Sequence, residues 1–134
     1  MLKIEHLGIA VKELGVSISL FEQLLNTPCY KTEEVASEGV NTAFFQTGDA
    51  KIELLEGITE TSPISKFIAK KGEGIHHIAF EVENIEAEMK RLAALGFELL
   101  STQPKPGADN KLVCFLHPKG TGGVLVELCQ ERRG

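Results

Sequence analysis

The chain has 134 residues, of which 43% are hydrophobic and 25% charged, proportions that are ordinary for one soluble globular domain with a workable core. Its formal net charge of −5 argues against a general nucleic-acid binder, because phosphate contacts need a basic surface. Three cysteines without a CxxC pair argue against a disulfide framework or a thiolate zinc site. Because the sequence has neither a signal-peptide pattern nor an apolar run of membrane-spanning length, we expect a cytoplasmic protein that does not bind membranes.

The first half of the chain, about residues 3–57, predicts a β-α-β-β-β module. Hydrophobic periodicity and turn residues predict its elements in the order strand, helix, strand, strand, strand, over residues 3–11, 16–25, 29–35, 40–46 and 51–55. On the first strand, His6 shares a face with the small residues Gly8 and Ala10. Small neighbours leave open space beside the imidazole, as the wall of a cavity requires.

The second half, about residues 74–130, predicts the same order of elements. A short helix over about residues 62–71, with Ser62 as its N-cap and Pro63 in its first turn, is expected to link the halves. The elements predicted after it are a strand, a helix and three strands, over residues 75–83, 85–95, 97–102, 111–116 and 124–130. Residues 103–110 are rich in turn formers and are predicted to be a polar loop.

An internal repeat relates the two halves. When the second half is shifted so that His77 falls on His6, the apolar positions of the first strands coincide. Glu53 then falls on Glu127 once the second half gains three residues in the turn-rich segment 118–123. The chain is therefore one module written twice, and each half begins on a strand with His and ends on a strand with Glu.

This repeat points to a metal site. If the halves pack about a pseudo-twofold axis, two imidazoles and two carboxylates converge, and such ligands suit a divalent cation such as Zn, Co, Ni, Mn or Fe(II). A buried glutamate between apolar neighbours also needs a cationic partner, since burying an unpaired carboxylate is costly. We therefore expect His6, Glu53, His77 and Glu127 to bind one metal ion.

Two further histidines are interpreted differently. His76 points to the opposite side of the strand from His77, so a structural role is expected for it. His117 precedes Pro118 at a strand end and is expected to lie in a loop beside the site, where a substrate contact remains open.

Four segments together resemble the methylmalonyl-CoA epimerase family. They are His6-Leu7-Gly8-Ile9-Ala10-Val11, Gly74-Ile75-His76-His77-Ile78-Ala79-Phe80, Phe115-Leu116-His117-Pro118-Lys119 and Gly122-Gly123-Val124-Leu125-Val126-Glu127-Leu128. That family belongs to the vicinal oxygen chelate superfamily, with glyoxalase I, extradiol dioxygenases and fosfomycin-resistance proteins. The resemblance covers nearly the whole chain. It implies an α+β fold in which two tandem βαβββ modules form a cupped mixed sheet, as one domain over residues 1–134.

The resemblance also implies an activity and its residues. The activity is interconversion of (2R)- and (2S)-methylmalonyl-CoA, by proton abstraction and return through a metal-stabilised enolate. His6, His77 and Glu127 are implied ligands of a divalent ion (Co, Zn, Mn, Ni or similar), with Glu53 in the fourth place. Glu127 and Glu53 form the expected pair of acid-base residues, and a role for Glu53 as a metal ligand alone stays open. Some relatives carry Gln in place of Glu53 and a Glu near the position of Thr42.

The resemblance further implies an acyl-CoA substrate and a homodimer. Because CoA and the chain are both anionic, local lysines are needed, and the candidates are Lys105, Lys111 and Lys119 near the predicted loops.

Other functions remain open on the residues alone. Two histidines and one carboxylate also describe the iron site of an extradiol dioxygenase, although Glu53 then fills a position that oxygen chemistry needs open. A glyoxalase I-like isomerase would use the same ligands. A non-catalytic small-molecule binder of this fold is the third alternative, and the four intact ligand positions argue against it.

Overall fold

The computed structural model describes residues 1–132, which divide into two compact units: residues 6–76, and residues 1–5 together with those from 77 onward. The helices and strands are β1 (Lys3–Ala10), α1 (Leu14–Leu25), β2 (Lys31–Val35), β3 (Val40–Thr47), β4 (Ala50–Gly57), α2 (Pro63–Lys71), β5 (Gly74–Glu81), α3 (Ile85–Ala94), β6 (Lys105–Gly107), β7 (Lys111–Leu116) and β8 (Val126–Glu131). The predicted order β-α-β-β-β is confirmed for each half. No helix within residues 1–132 has the length and apolar character needed to cross a membrane.

The strands of the first unit follow the order β2-β3-β4-β1. β2, β3 and β4 are joined antiparallel, whereas β1 runs parallel to β4, with Gly8 opposite Glu53. This register places the small residue two positions after His6 beside the carboxylate-bearing residue of β4.

The strands of the second unit follow the order β5-β8-β7-β6, with the same mixture of directions. β5 runs parallel to β8 with Ala79 opposite Glu127, and β6 and β7 are added antiparallel. Ala79 is the repeat equivalent of Gly8, and Glu127 that of Glu53. The pairing registers of the two units therefore confirm the internal repeat, including the three-residue addition.

Each unit buries an apolar core on the face that its long helix covers. In the first unit, Ala43, Phe45 and Leu54 pack against α1, and in the second, Cys114, Leu116 and Leu128 pack against α3. Because side chains alternate across a strand, the residues next to these in sequence lie on the opposite face. That opposite face carries the polar residues considered below.

A side chain from the last strand of each unit also holds the first turn of its helix. The Leu14 N–H of α1 donates to Glu56 Oε2 at 3.0 Å, and the Ile85 N–H of α3 donates to Gln130 Oε1 at 2.7 Å. The first N–H groups of a helix have no partner within the helix, so these bonds satisfy donors that would otherwise be lost. Glu56 and Gln130 occupy equivalent repeat positions, three residues after Glu53 and Glu127.

The linking helix α2 begins as the sequence predicts. The Ser62 side chain accepts a hydrogen bond from the Ser65 N–H at 3.3 Å, and Pro63 occupies the first turn. Gly57, at the end of β4, lies so close that a Cβ there would collide with the hydroxyls of Ser62 and Ser65. Glycine at this position thus lets the start of the helix approach the strand without displacing these two hydroxyls.

Two predictions for the second unit are wrong. Residues 97–102 are not a strand; they form a single β-bridge, from Leu99 to Leu116. The Ser101 hydroxyl donates to the carbonyl of Gln103 at 2.8 Å, which turns the chain and ends the pairing. The strand that pairs with β7 is instead β6, which lies inside the predicted loop 103–110. Pro106 is tolerated there because β6 is an edge strand.

The link between β4 and α1 predicts a stability effect. Replacing Glu56 with Ala leaves the Leu14 N–H without its partner and removes a negative charge from the positive end of the helix, so we expect a loss of about 1–2 kcal/mol in the free energy of unfolding. Urea denaturation measures it. Glu60, which is exposed and precedes α2, gives the control variant Glu60→Ala. Equal stability of the two variants would contradict a role for Glu56 in holding α1.

Candidate metal centre

The first unit brings His6 and Glu53 together on the face away from α1. His6 Nδ1 lies 3.1 Å from Glu53 Oε2, and each side chain is only 5% exposed. The parallel register sets this contact, because the residue opposite Glu53 is Gly8, whose lack of a side chain leaves room for both groups. A buried carboxylate and a buried imidazole thus meet on the parallel pair of strands β1 and β4.

The second unit repeats the arrangement with His77 and Glu127. His77 Nε2 lies 2.9 Å from Glu127 Oε1, and both side chains are 6% exposed. The Phe115 ring packs edge-on against the imidazole with its centroid 5.5 Å away, on the face opposite α3. His77 is therefore held between an aromatic ring and a carboxylate of its own unit.

Both pairs fit a divalent cation by their donor atoms and by their spacing. Imidazole nitrogen and carboxylate oxygen bind zinc and related ions at about 2.0–2.2 Å, so two neighbouring ligands of one ion lie roughly 3 Å apart. The observed nitrogen–oxygen separations of 3.1 and 2.9 Å match this value. Each unit therefore contains a His and a Glu side chain that are suited to holding a metal ion.

Thr42 lies on the same face of the first unit as Glu53. It sits on β3 opposite Leu55, two residues before Phe44, which is opposite Glu53. Its side chain is fully buried, and within residues 1–132 its hydroxyl has no hydrogen-bond partner. Thr42 is thus a neutral hydroxyl with unused hydrogen-bonding capacity.

His76 and His117 have other contacts. The His76 ring packs edge-on against Phe67 of α2 with 4.9 Å between ring centroids. His117 Nδ1 accepts a hydrogen bond from the Lys119 N–H at 3.0 Å and so caps a short 3₁₀ helix, Pro118–Gly120.

The structure buries two charged residues, Glu5 and Lys111, whose burial was not predicted from the sequence. Glu5, in the second unit, is 3% exposed and has a carboxylate oxygen within 4.8 Å of Cys129 Sγ. Lys111, one of three candidate lysines, is 6% exposed, whereas Lys105 and Lys119 are exposed. Nothing in the residues around Glu5 predicts its burial, because the outer residues Lys3 and Ile4 of the same strand are exposed. The burial of Lys111 could have been predicted, since Lys111 shares a strand face with the apolar residues Val113 and Phe115.

The chain is similar to known proteins over nearly its full length. The sequence model of the Glyoxalase/Bleomycin resistance protein/Dioxygenase superfamily matches residues 5–115. An ethylmalonyl-CoA/methylmalonyl-CoA epimerase of Cereibacter sphaeroides is 40% identical over 96% of this chain and 97% of its own length. The mitochondrial methylmalonyl-CoA epimerase of Homo sapiens is 39% identical over 96% of this chain and 73% of its length.

Among solved structures, a variant of Streptomyces coelicolor methylmalonyl-CoA epimerase in complex with 2-nitronate-propionyl-CoA superimposes with a TM-score of 0.94, at 32% identity and 99% coverage of both chains. These likenesses confirm the predicted fold class.

The contact between His77 and Glu127 predicts a non-additive effect on stability. With metal removed by a chelator, His77→Leu leaves a buried carboxylate without its imidazole, and we expect a loss of about 3 kcal/mol. Glu127→Leu should cost a similar amount. The double variant removes both polar groups, so its loss should fall well short of the sum of the two. Denaturant unfolding measures all three free energies.

The same substitution at Glu83, an exposed residue before α3, is the control and should change stability by less than about 0.5 kcal/mol. Strictly additive losses for His77 and Glu127 would show that the two side chains do not depend on each other.

Proposed function

Since this chain belongs to the methylmalonyl-CoA epimerase family of the Glyoxalase/Bleomycin resistance protein/Dioxygenase superfamily, we propose that it interconverts (2R)- and (2S)-methylmalonyl-CoA. The enzyme class is that of an isomerase, specifically an epimerase. The observation that carries the proposal is the buried His and Glu pair at the same register in both units. Repeated acid-base and ligand groups are what inversion of an acidic carbon needs.

We propose that the two pairs share one divalent cation, so that His6, Glu53, His77 and Glu127 are its ligands. Co, Zn, Mn and Ni all fit donors of this kind. Burial supports the arrangement, because the four side chains are only 5–6% exposed and two buried carboxylates need positive charge close by. When bound, the cation supplies a Lewis acid that stabilises negative charge on the substrate oxygens.

Inversion requires a proton to leave one side of the carbon and return on the other. The carbon between the thioester and the carboxylate of methylmalonyl-CoA becomes planar when it loses its proton, so one base on each side is the simple solution. Glu53 and Glu127 come from equivalent positions of the two repeats. In our proposal one carboxylate takes the proton and the other returns it, with the roles reversed for the opposite epimer.

The surroundings of the two carboxylates support this assignment. Glu53 is the buried carboxylate of the first unit, and the neutral Thr42 cannot act as a base in its place. In the second unit Phe115 packs against His77, and the His77 and Glu127 side chains are each only 6% exposed to water. Exclusion of water protects a carbanionic substrate from uncontrolled protonation.

The remaining expectations stay predictions. A homodimer and a cytoplasmic location are part of the proposed function, and the acyl-CoA is its small-molecule partner.

Deuterium exchange tests the proposal directly. In D₂O with added Co²⁺, the protein should convert each pure epimer of methylmalonyl-CoA into the mixture while deuterium enters carbon 2. Glu127→Gln and Glu53→Gln should each lower the rate of inversion by roughly 10²- to 10⁴-fold, because each lacks one base. Each variant should still exchange the proton of one epimer, and the two variants should differ in which epimer that is. Chiral chromatography and mass spectrometry measure both rates.

Glu83→Gln, which alters an exposed carboxylate, is the matched control and should keep the rate of the unchanged protein. Inversion at that full rate in both the Glu53 and Glu127 variants would reject their roles. Oxygen consumption or a requirement for glutathione would favour a dioxygenase or a glyoxalase instead.

A further inference from the structure

Lys111 is a buried lysine that the proposed mechanism does not use. It is the first residue of β7 and is 6% exposed. Lysine is among the residues least often buried, because taking an ammonium ion out of water is costly unless an anion compensates. Its position therefore calls for a negatively charged partner.

The protein itself supplies only a weak partner. Within residues 1–132, the Lys111 ammonium makes one ion pair, with Glu131 Oε1 at 3.6 Å, and no hydrogen bond. The Glu131 side chain is 74% exposed, so water screens most of this attraction. The three donors of a buried ammonium are thus left largely available to a ligand.

Lys111 lies on the same face of the second unit as the His77–Glu127 pair. Along β7, Leu112, Cys114 and Leu116 pack on the side of α3, so Lys111, Val113 and Phe115 point to the other side. Between the two ends of this row, Val113 packs with Ala79 and Cys129.

Phe115 contacts His77, and it lies four residues, or about 13 Å, along the strand from Lys111. The face therefore has a cation at one end, an apolar middle and the acid-base pair at the other end.

We propose that Lys111 binds an anionic oxygen of the acyl-CoA substrate and so aligns the thioester along this face with its reacting carbon at Glu127. The inference rests on the proposed function. It adds a residue that binds the substrate, which the proposed mechanism does not yet include. A chain of net charge −5 repels an anionic substrate at long range, so a local buried cation is what binding requires. The anionic oxygen belongs either to the carboxylate of the malonyl group or to a phosphate of CoA.

The test replaces Lys111 with Met, which keeps most of the length of the side chain but removes its charge. We expect KM for methylmalonyl-CoA to rise about tenfold or more while kcat stays within about twofold, the split expected when a binding contact common to the ground and transition states is lost. Lys111→Arg, which keeps the charge, should recover part of the affinity. Lys90→Met is the matched control, because Lys90 is an exposed lysine of α3, the helix that packs on the other face of these strands.

Two ligands distinguish the sources of the negative charge, and calorimetry measures their affinity without turnover. Propionyl-CoA lacks the free carboxylate, and methylmalonyl-pantetheine lacks the phosphates. Weaker binding of propionyl-CoA by the Met variant assigns Lys111 to a phosphate. Weaker binding of methylmalonyl-pantetheine alone assigns it to the carboxylate.

Unchanged KM and unchanged affinity for both ligands in a folded Lys111→Met variant would overturn the inference and leave Lys111 as a structural residue. If the Met variant does not fold, Lys111→Gln takes its place under the same criteria. Failure of the unaltered protein to epimerise would count against the proposed function alone, because the affinity measurements need no catalysis.

Discussion

The parallel pairing of β1 with β4, and of β5 with β8, is the constraint on which the candidate site depends. In each pair the residue opposite the glutamate is small, Gly8 or Ala79, and the histidine precedes it by two positions. One residue of slippage would turn every side chain of the strand to the other face, so the register must be held firmly. It brings an imidazole to within 3.1 or 2.9 Å of a buried carboxylate, an arrangement that is stable only if a proton or a cation lies between them.

The alternation of side chains along each strand also places the residues that stabilise the fold and the residues of the candidate site on opposite faces. One face of each unit is apolar and packs under a helix, where fully buried residues such as Phe45 and Leu128 each contribute about 2–3 kcal/mol by leaving water. The opposite face of each unit carries polar groups that folding alone would not favour. In the first unit these are the His6–Glu53 pair and the Thr42 hydroxyl, which has no hydrogen-bond partner within residues 1–132. In the second unit they are the His77–Glu127 pair and the Lys111 ammonium.

Much of the fold and of the candidate site was predictable from the sequence, because the internal repeat shows each weak pattern twice. A single strand histidine says little, but His6 and His77 at equivalent places, each matched by a Glu at the end of its half, identify the pairs without a structure. The helices also follow from periodicity and capping, since Ser62 and Pro63 begin α2 where expected.

The two wrong predictions, a strand over residues 97–102 and a loop over residues 103–110, have local causes. Residues 97–102 alternate like a strand, but the hydrogen bond from Ser101 to the Gln103 carbonyl ends the pairing after one bridge. The edge of β7 is then taken by β6, which contains a proline and was expected to be loop. The burial of Glu5 depends on which strands pack beside it, and the composition of its own strand does not encode this.

The most direct measurement of the central claim is X-ray absorption at the metal edge of protein loaded with Co²⁺, combined with elemental analysis. If the two pairs share one cation, the protein should hold one ion per chain, with two imidazoles in its coordination shell, and either His6→Ala or His77→Ala should abolish tight binding. Two ions per chain with one imidazole each, or a histidine variant that still binds one ion tightly, would contradict the account.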